Sequence, residues 1–228
     1  MNYGKIIDFH THVLHGVDHG SNSIEVSLKQ VNMFLERGVK NIVSTSHYYP
    51  NKDDLNLFFK VRNRAYSELK RAMDEQEMEL NIRLGAEVLL CAGLDKLPGL
   101  DKLCIQGTNA ILLELPFTDF RSEYLHTLEN LIDMGYRVIL AHVDRYPPEI
   151  IEMLSYLNLK FQINADSIAV IIKKPHLYEW IRRGKVVGLG SDIHMLNSSA
   201  IDKLLKCSKK LKNDFDSIMD KSAEILNL

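Results

Sequence analysis

Seven short apolar runs, separated by segments with helical periodicity, recur along this 228-residue chain. They are rich in β-branched and aromatic residues, which predicts buried strands. Strands that alternate with helices predict a parallel sheet. Seven such units in one domain favour a closed or nearly closed β/α barrel, with an open α/β sheet as the alternative. The predicted strands cover residues 6–12, 41–47, 82–90, 110–116, 137–142, 161–166 and 186–194.

The segments between these runs have the pattern of amphipathic helices. Ser21 to Ser23 supply capping residues for the first helix, and Gly38 is placed to end it. Proline at 147 and 148 is compatible with a first helical turn. No repeat, low-complexity segment or linker interrupts the alternation, so residues 1–228 are predicted to form a single domain. Helices are predicted over 24–36, 53–77 and 122–134, from 147 onwards, up to about 183, and from about 200.

Most of the predicted strands end in a residue of the kind that binds metal ions. His10 and His12 are two residues apart, so in a strand they project from the same face. Taken singly, each such residue is equally well explained as a hydrogen-bonded core group or a surface ion pair. Glu87 and Glu114, however, lie inside apolar runs, and buried carboxylates need partners. The strand-end set comprises His10, His12, His47, Glu87, Glu114, His142, Asp192 and His194.

The size of this set indicates more than one ion. With Asp18 it contains five histidines and four carboxylates, which is too many for one tetrahedral ion. In β/α barrels the carboxyl ends of the strands meet at one face, where the chemistry takes place. Such a set suits two or three ions bridged by carboxylates, an arrangement used to hydrolyse phosphate esters.

Composition excludes several other classes of protein. A net charge of −2 provides no electrostatic footprint for nucleic acid or an anionic membrane. No apolar run approaches a membrane span, and the first predicted strand begins too early for a signal peptide. Three cysteines without paired spacing fit a reducing cytoplasm. A cysteine-dependent phosphatase is excluded, because the positions six residues after them hold Leu97, Ala110 and Asn213 instead of arginine.

Six motifs in order resemble the PHP (polymerase and histidinol phosphatase) superfamily. Within it, the chain is similar to the bacterial manganese-dependent tyrosine-protein phosphatases of capsular and exopolysaccharide operons. The motifs are Asp8-Phe9-His10-Thr11-His12 with Asp18 and Gly20, Val43-Ser44-Thr45-Ser46-His47, Gly85-Ala86-Glu87, Leu113-Glu114, Ala141-His142-Val143-Asp144-Arg145, and Ser191-Asp192-Ile193-His194.

The resemblance implies a fold, a site and a substrate. The fold would be a distorted (β/α)7 barrel, and the substrate the phosphorylated tyrosine tail of a kinase that regulates polysaccharide synthesis. Metal ions, expected to be Mn²⁺ with Fe or Zn as alternatives, would activate water for attack on phosphorus, with Glu87 and Asp192 as bridges and Arg145 binding the phosphate. An oligomer is compatible with the sequence. The implied trinuclear ligands are His10, His12, Asp18, His47, Glu87, Glu114, His142, Asp192 and His194.

The chain departs from this family pattern in two places. Asp18 is followed by His19 where relatives carry a second aspartate, so His19 is either a substitute ligand or a bystander. Residues 195–199 lack the arginine that relatives place after the last motif. A phosphatase for a small molecule such as histidinol phosphate or a sugar phosphate is therefore one alternative. A weakly active metal-binding partner of a polysaccharide assembly complex is the other.

Four aromatic residues lie near the ends of the second and fourth predicted strands. They either line the mouth of the site or pack within loops. These residues are Tyr48, Tyr49, Phe117 and Phe120.

Overall fold

A computed structural model of the chain describes residues 5–117, 120–170 and 174–228. All strand pairings that it shows are parallel, as predicted. The strands are β1 (Ile7–Thr11), β2 (Asn41–Ser44), β3 (His47–Tyr48), β4 (Asn81–Leu84), β5 (Glu87–Leu89), β6 (Ala110–Glu114), β7 (Arg137–Leu140), β8 (Lys160–Asn164) and β9 (Val186–Gly190). One sheet has the order β1-β2-β4 and the other β3-β5-β6-β7-β8-β9.

Two of the predicted strands are each divided into two shorter ones. The run 41–47 forms β2 and β3, and the run 82–90 forms β4 and β5. Hydrogen bonds continue across both breaks, because Gly85 N donates to Ser44 O (2.8 Å) and Glu87 N donates to Ser46 O (3.0 Å). The breaks pass the chain from one sheet to the other. Beyond them His47 pairs directly with Glu87, so two predicted site residues become neighbours across the sheet.

The last strand lies against the first. Asp192 N donates to His10 O (2.9 Å), and His12 N donates to Ile193 O (3.3 Å). This approach requires glycine in β9, since a Cβ at Gly188 would lie 2.6 Å from Cγ of Phe9 and one at Gly190 would lie 2.5 Å from Cβ of His10. The end of the last strand therefore lies beside the first, and the two parallel sheets have the alternating β/α order that the sequence predicts.

The helices follow the strands in the predicted order. They are α1 (Ile24–Glu36), α2 (Leu55–Glu75), α3 (Ser122–Asp133), α4 (Pro148–Leu154), α5 (Ala165–Ala169), α6 (Pro175–Arg182), α7 (Ser198–Leu211) and α8 (Asn213–Leu226). Ser23 caps α1 by accepting a hydrogen bond from Val26 N (3.4 Å), and Gly38 follows its end with φ 72°. Local capping chemistry thus sets both ends of α1 where the sequence predicts them.

The core lies between the sheets and the helices that cover them. Phe9, Phe34 and Phe161 are fully buried, and Trp180 of α6 packs edge-on against Phe161 with ring centroids 5.5 Å apart. Burial of such rings is the main stabilising contribution to a domain of this size. It anchors the strands whose ends carry the site.

Within residues 5–117, 120–170 and 174–228, no helix combines the length and the apolar character that crossing a bilayer requires.

Candidate metal centre

The strand ends bring eight of the predicted residues together at one face of the sheets. Three groups of potential ligand atoms each lie within 4.8 Å of one another. His12 and His47 each belong to two groups, so the groups form one continuous centre. The groups are His12, His47 and His194; His10, His12 and Asp192; and His47, Glu87 and Glu114.

Glu87 is the hub of this centre. Its Oε2 lies 3.0 Å from Nε2 of His10 and 3.2 Å from Nδ1 of His47, and its Oε1 lies 2.6 Å from Nε2 of His142. Burial raises the pKa of this carboxyl, but the charge of His10 and hydrogen bonds from His10, His12 and His142 outweigh burial and hold the pKa well below its usual range. Glu87 is therefore an ionised, buried carboxylate whose two oxygens face different histidines.

The tautomers of His10 and His12 indicate that a cation belongs between them. Oε1 of Gln162 accepts a hydrogen bond from the backbone N–H of His142 (2.6 Å), so it is an oxygen, and Nδ1 of His10 donates to it (3.1 Å). Nδ1 of His12 donates to Asp18 (2.8 Å). Burial lowers the pKa of His10 and His12, but the carboxylates of Glu87, Asp192 and Asp18 outweigh burial and raise the pKa of both, so without a metal ion the Nε2 atoms hold protons. Once those protons leave, both Nε2 atoms carry lone pairs. These two atoms lie 3.0 Å apart beside the Glu87 carboxylate, an arrangement that repels unless a proton or metal ion is shared.

Glu114 and His47 strengthen this inference. Burial and the nearby charge of Glu87 raise the pKa of Glu114 to about 7. Both effects disfavour the charged form, since a second negative charge would be poorly solvated and would be repelled by the first. Burial lowers the pKa of His47 to about 4, so the imidazole is neutral at pH 7 and has a lone pair available for a metal ion. Its Nδ1 has no hydrogen-bond partner within the described residues. The donor set of neutral imidazoles and buried carboxylates fits divalent transition-metal ions.

Asp18 stands behind the centre. Its Oδ2 accepts hydrogen bonds from Nδ1 of His12 (2.8 Å) and from the backbone N–H of His47 (2.9 Å), and its Oδ1 accepts from Gly20 N (2.8 Å). These bonds orient His12 and His47. Position 20 accepts only glycine, since the Cβ of any other residue would lie 2.3 Å from Cβ of His12. The structure thus places Asp18 beside the ligand groups, with its oxygens already engaged.

His19 lies at the exposed edge of the centre. Its ring stacks on His47 with centroids 4.8 Å apart and on His194 with centroids 4.6 Å apart. It extends the row of imidazoles towards solvent and stands outside the three ligand groups.

Gln162 and Asn164 are site residues for which the motifs provided no prediction. Gln162 holds His10 and His142 as described, and its Nε2 donates to Oδ1 of Asn164 (3.0 Å). Nδ2 of Asn164 in turn donates to Oδ2 of Asp192 (2.9 Å). The amide pair thus contacts candidate ligands from three parts of the sheets, namely His10 within β1, His142 after β7 and Asp192 after β9. A signal was available, since both are polar residues two apart on one face of an otherwise apolar strand.

Asp192 is held at the opposite side of the centre. Its Oδ1 lies 3.4 Å from Nε2 of His12, and its Oδ2 pairs with the guanidinium of Arg145. Burial raises the pKa of Asp192, but the charges of His10, His12 and Arg145 and a hydrogen bond from His12 together hold it far below its usual range. The Arg145 side chain remains 43% exposed, so its guanidinium group lies where the centre opens to solvent.

Two residues of the centre adopt a left-handed backbone conformation. His142 has φ 31° and Asp192 has φ 51°, which is uncommon for residues other than glycine. Such strain is concentrated at functional sites, where the surrounding structure enforces it. The hydrogen bonds from His142 N to Gln162 and from Asp192 N to His10 O provide that enforcement.

The four aromatic residues near the site divide into two pairs. Tyr49 stacks on His47 with ring centroids 5.5 Å apart, and Phe117 lies parallel to His142 at 6.4 Å. Tyr48 is buried against Phe58, and Phe120 packs on Tyr124. Tyr49 and Phe117 therefore border the centre, while the other two stabilise the adjoining packing.

Comparison with known proteins places this geometry in a family. Residues 6–227 match the family described as "Capsular polysaccharide synthesis, CpsB/CapC". The chain is 30% identical to the tyrosine-protein phosphatase CpsB of Streptococcus pneumoniae over 220 residues, 85% of this chain and 84% of that protein. It is 27% identical to the tyrosine-protein phosphatase CpsB of Streptococcus agalactiae over 146 residues, 62% of this chain. That match spans 58% of the relative, less than two thirds of its length.

Solved structures confirm the fold. The chain superimposes with a TM-score of 0.80 and 19% identity on a chain from the crystal structures of YwqE from Bacillus subtilis and CpsB from Streptococcus pneumoniae, described as metal-dependent tyrosine phosphatases. The match covers 97% of this chain and 94% of that chain. A β-aspartyl dipeptidase from Fervidobacterium islandicum matches with a TM-score of 0.54 and 12% identity, over 99% of this chain and 75% of that one.

Proposed function

The chain belongs to the CpsB/CapC family of capsular polysaccharide synthesis, and from that membership we propose that it hydrolyses phosphotyrosine in a protein by a metal-dependent mechanism. Relatives in two streptococcal species carry the name tyrosine-protein phosphatase. The substrate would be the phosphorylated tyrosine tail of a kinase that regulates capsular or exopolysaccharide synthesis. We place the reaction in the cytoplasm, in keeping with three free cysteines at 91, 104 and 207.

The contact between His10, His12 and Glu87 is the observation that carries the proposal. Two imidazole Nε2 atoms and a carboxylate oxygen lie within 3.4 Å of one another in a buried site, and once the imidazole protons leave, their lone pairs repel. Hydrogen bonds from outside the centre prevent either ring from turning its N–H inward without losing a partner. Removal of this repulsion by bound cations would be a direct source of metal affinity.

We assign the centre to two or three divalent ions, with Mn²⁺ as the expected metal and Fe or Zn as alternatives. Ions bound there would withdraw charge from the phosphate oxygens and lower the pKa of a water molecule. Asp18, included among the ligands by family resemblance, is assigned to orienting His12 and His47 on the strength of its three hydrogen bonds. The direct ligands would be His10, His12, His47, Glu87, Glu114, His142, Asp192 and His194.

The chain's own groups would arrange the phosphate for displacement. Glu87 and Asp192 each face histidines through one or both oxygens, which suits carboxylates that bridge two ions. Arg145 is exposed beside Asp192 and offers a planar fork that matches two phosphate oxygens. Negative charge on these oxygens increases in the transition state, so the positive charge of Arg145 would stabilise the transition state. Tyrosinate leaves readily, since the pKa of its conjugate acid is about 10.

The test is turnover by protein stripped of metal and then loaded with Mn²⁺, Fe²⁺ or Zn²⁺. Phosphotyrosine peptides, histidinol phosphate and sugar phosphates form the substrate panel. We expect the peptides to be hydrolysed with the highest kcat/KM, only after loading. Glu87→Gln should be inactive, whereas His126→Ala, which alters an exposed histidine paired with Glu129, should match wild type. Preference for a small phosphate would transfer the assignment to a small-molecule phosphatase, and inactivity towards every phosphate would indicate a binding partner.

A further inference from the structure

We infer that the mouth of the metal centre is an apolar surface that binds the substrate polypeptide on both sides of its phosphotyrosine. This inference rests on the proposed function and specifies its substrate class, namely peptides with apolar side chains next to the phosphotyrosine. The surface consists of four exposed residues, Leu57, Phe117, Met195 and Leu196, which we call the apolar rim.

Each rim residue follows a strand whose end supplies a residue of the centre. Leu57 lies in the first turn of α2, and Phe117 lies just after β6. Met195 and Leu196 come directly after His194. Leu57 shares a cavity with His47, Phe117 lies beside His142, and Met195 and Leu196 follow His194, so each rim residue adjoins a residue of the centre. Any group attached to a phosphate at the centre must pass this rim.

Phe117 is the aromatic member of the rim. Its side chain is 66% exposed, yet its ring lies parallel to two others, with centroids 5.3 Å from Tyr146 and 6.4 Å from His142. One face of the ring is therefore supported by the site while the rest remains open to solvent. An aromatic ring held in this way offers a stacking surface for the phenyl group of a bound phosphotyrosine.

Met195 is held in place by its backbone. Its φ is 51°, a left-handed value that is uncommon for methionine. Met195 N donates to Gly20 O (2.8 Å), and Met195 O accepts from Nε2 of the buried Gln30 (2.7 Å). These bonds fix the chain after His194, and the side chains of Met195 and Leu196 remain at the surface. The structure thus maintains apolar side chains at the start of segment 195–199, the segment in which family resemblance predicts an arginine.

Leu57 borders a cavity that opens beside the centre. The cavity has a volume of about 270 Å³ and adjoins His47. Val17, Leu57, Phe58 and Val61 form its apolar wall, and Lys52, Asp53 and Asp54 form its polar side. It adjoins a candidate metal ligand, so a residue next to the phosphotyrosine can enter it while the phosphate is at the centre. Its apolar wall favours an aliphatic or aromatic side chain.

The occupant is therefore an extended polypeptide and not a small hydrophilic phosphate. A sugar phosphate has no apolar group to place on the rim, and its hydroxyls would be desolvated there without partners. A phosphotyrosine between apolar residues buries its phenyl ring on Phe117 and its neighbours on Leu57, Met195 and Leu196.

The experiment compares two phosphotyrosine peptides of equal length and net charge with metal-loaded protein. One peptide has leucine and phenylalanine beside the phosphotyrosine, and the other has serine and glutamine. Wild type should show a KM lower by about fivefold to tenfold for the apolar peptide. Phe117→Ser and Leu196→Ser should each reduce this ratio by at least about threefold, because each removes apolar area from the bound state.

Tyr156→Ser and Met134→Ser are the matched controls, since these side chains are 65% and 58% exposed and lie outside the rim. They should retain the wild-type ratio. Equal KM values for the two peptides in wild type would overturn the inference and leave the proposed function intact, as would rim variants that behave like the controls. If metal-loaded wild type hydrolyses none of the three substrates, the two peptides and p-nitrophenyl phosphate, the proposed function is overturned, and the inference with it.

Discussion

Nδ1 of His10 lies 3.1 Å from the side-chain carbonyl oxygen of Gln162, which also accepts the backbone N–H of His142 at 2.6 Å. One buried amide therefore sets the tautomer of one candidate ligand and the strained backbone of another. Partners behind a ligand contribute to metal affinity because they remove the need to reorient it during binding.

Gln162→Leu should lower metal affinity by roughly 10- to 100-fold, the range typical for loss of such a partner. Leucine keeps the apolar volume but cannot accept from His10 or His142. Isothermal titration calorimetry with Mn²⁺ measures the effect. Gln30→Leu is the control, because Gln30 is equally buried but bonds to Ser21 and Met195, neither of which is a candidate ligand. An unchanged Kd in Gln162→Leu would remove Gln162 from the centre.

Asp192→Asn should abolish turnover and reduce bound metal without unfolding the chain. Asparagine tolerates the left-handed backbone at φ 51° better than alanine and keeps the side-chain shape, so the change isolates the lost charge. Metal content by elemental analysis and circular dichroism test the two parts. Normal metal content with normal turnover would contradict the assignment of Asp192 as a ligand.

Arg145→Ala should lower kcat/KM for a phosphotyrosine peptide by roughly 10- to 150-fold, since a charge-assisted hydrogen bond contributes about 1.5–3 kcal/mol. Residues 195–199 contain no arginine, so Arg145 would carry a large share of phosphate recognition. Lysine at this position should restore only part of the rate, because it keeps the charge but loses the fork. Steady-state kinetics decide the question, and unchanged values would reduce Arg145 to a surface partner of Asp192.

Thiol alkylation should leave activity largely unchanged, whereas a strong chelator should remove it. Cys104 and Cys207 are buried, and burial raises the pKa of each thiol to about 12, so neither is a reactive thiolate at neutral pH. Residual activity after iodoacetamide and after chelation followed by Mn²⁺ is the measurement. Inactivation by iodoacetamide alone would point to a cysteine mechanism.

The contribution of Glu114 to the stability of the metal-free protein should be lost as pH rises from about 4.5 to 7. Burial and then the charge of Glu87 raise the pKa of Glu114 to about 7, so the folded state binds a proton that the unfolded state releases earlier. The stabilisation is complete below the unfolded pKa and is lost as pH rises through the folded pKa. Glu114→Gln should therefore raise the Tm of metal-free protein at pH 8 by a few degrees, since about 1 kcal/mol corresponds to roughly 2–4 °C.

Thermal scans at pH 5 and pH 8 test this, with Glu129→Gln as an exposed control. If the Glu114→Gln variant has a lower Tm than wild type at pH 8 without metal, the ionised Glu114 carboxylate does not destabilise the folded protein. With Mn²⁺ present the sign should reverse, because the variant loses a candidate ligand.

The alternation of strands and helices, and the residues at the strand ends, were determined by the sequence itself. Each depends on local chemistry: β-branched runs favour strands, Ser23 and Gly38 delimit α1, and the period of two places His10 and His12 on one face. Those features survive tertiary packing because they are set by the backbone within a few residues.

Only the tertiary structure decided which residues support that set. The partners of Gln162 are His10 within β1 and His142 just after β7, and its register relative to them depends on how the strands assemble. The same holds for Asp18, which accepts hydrogen bonds from His12, Gly20 N and His47 N, residues brought together only by the fold. Tyr48 ends β3 and Tyr49 directly follows it, yet Tyr48 is buried and Tyr49 borders the site. Successive side chains of extended backbone point to opposite sides, and only packing determines which side is covered.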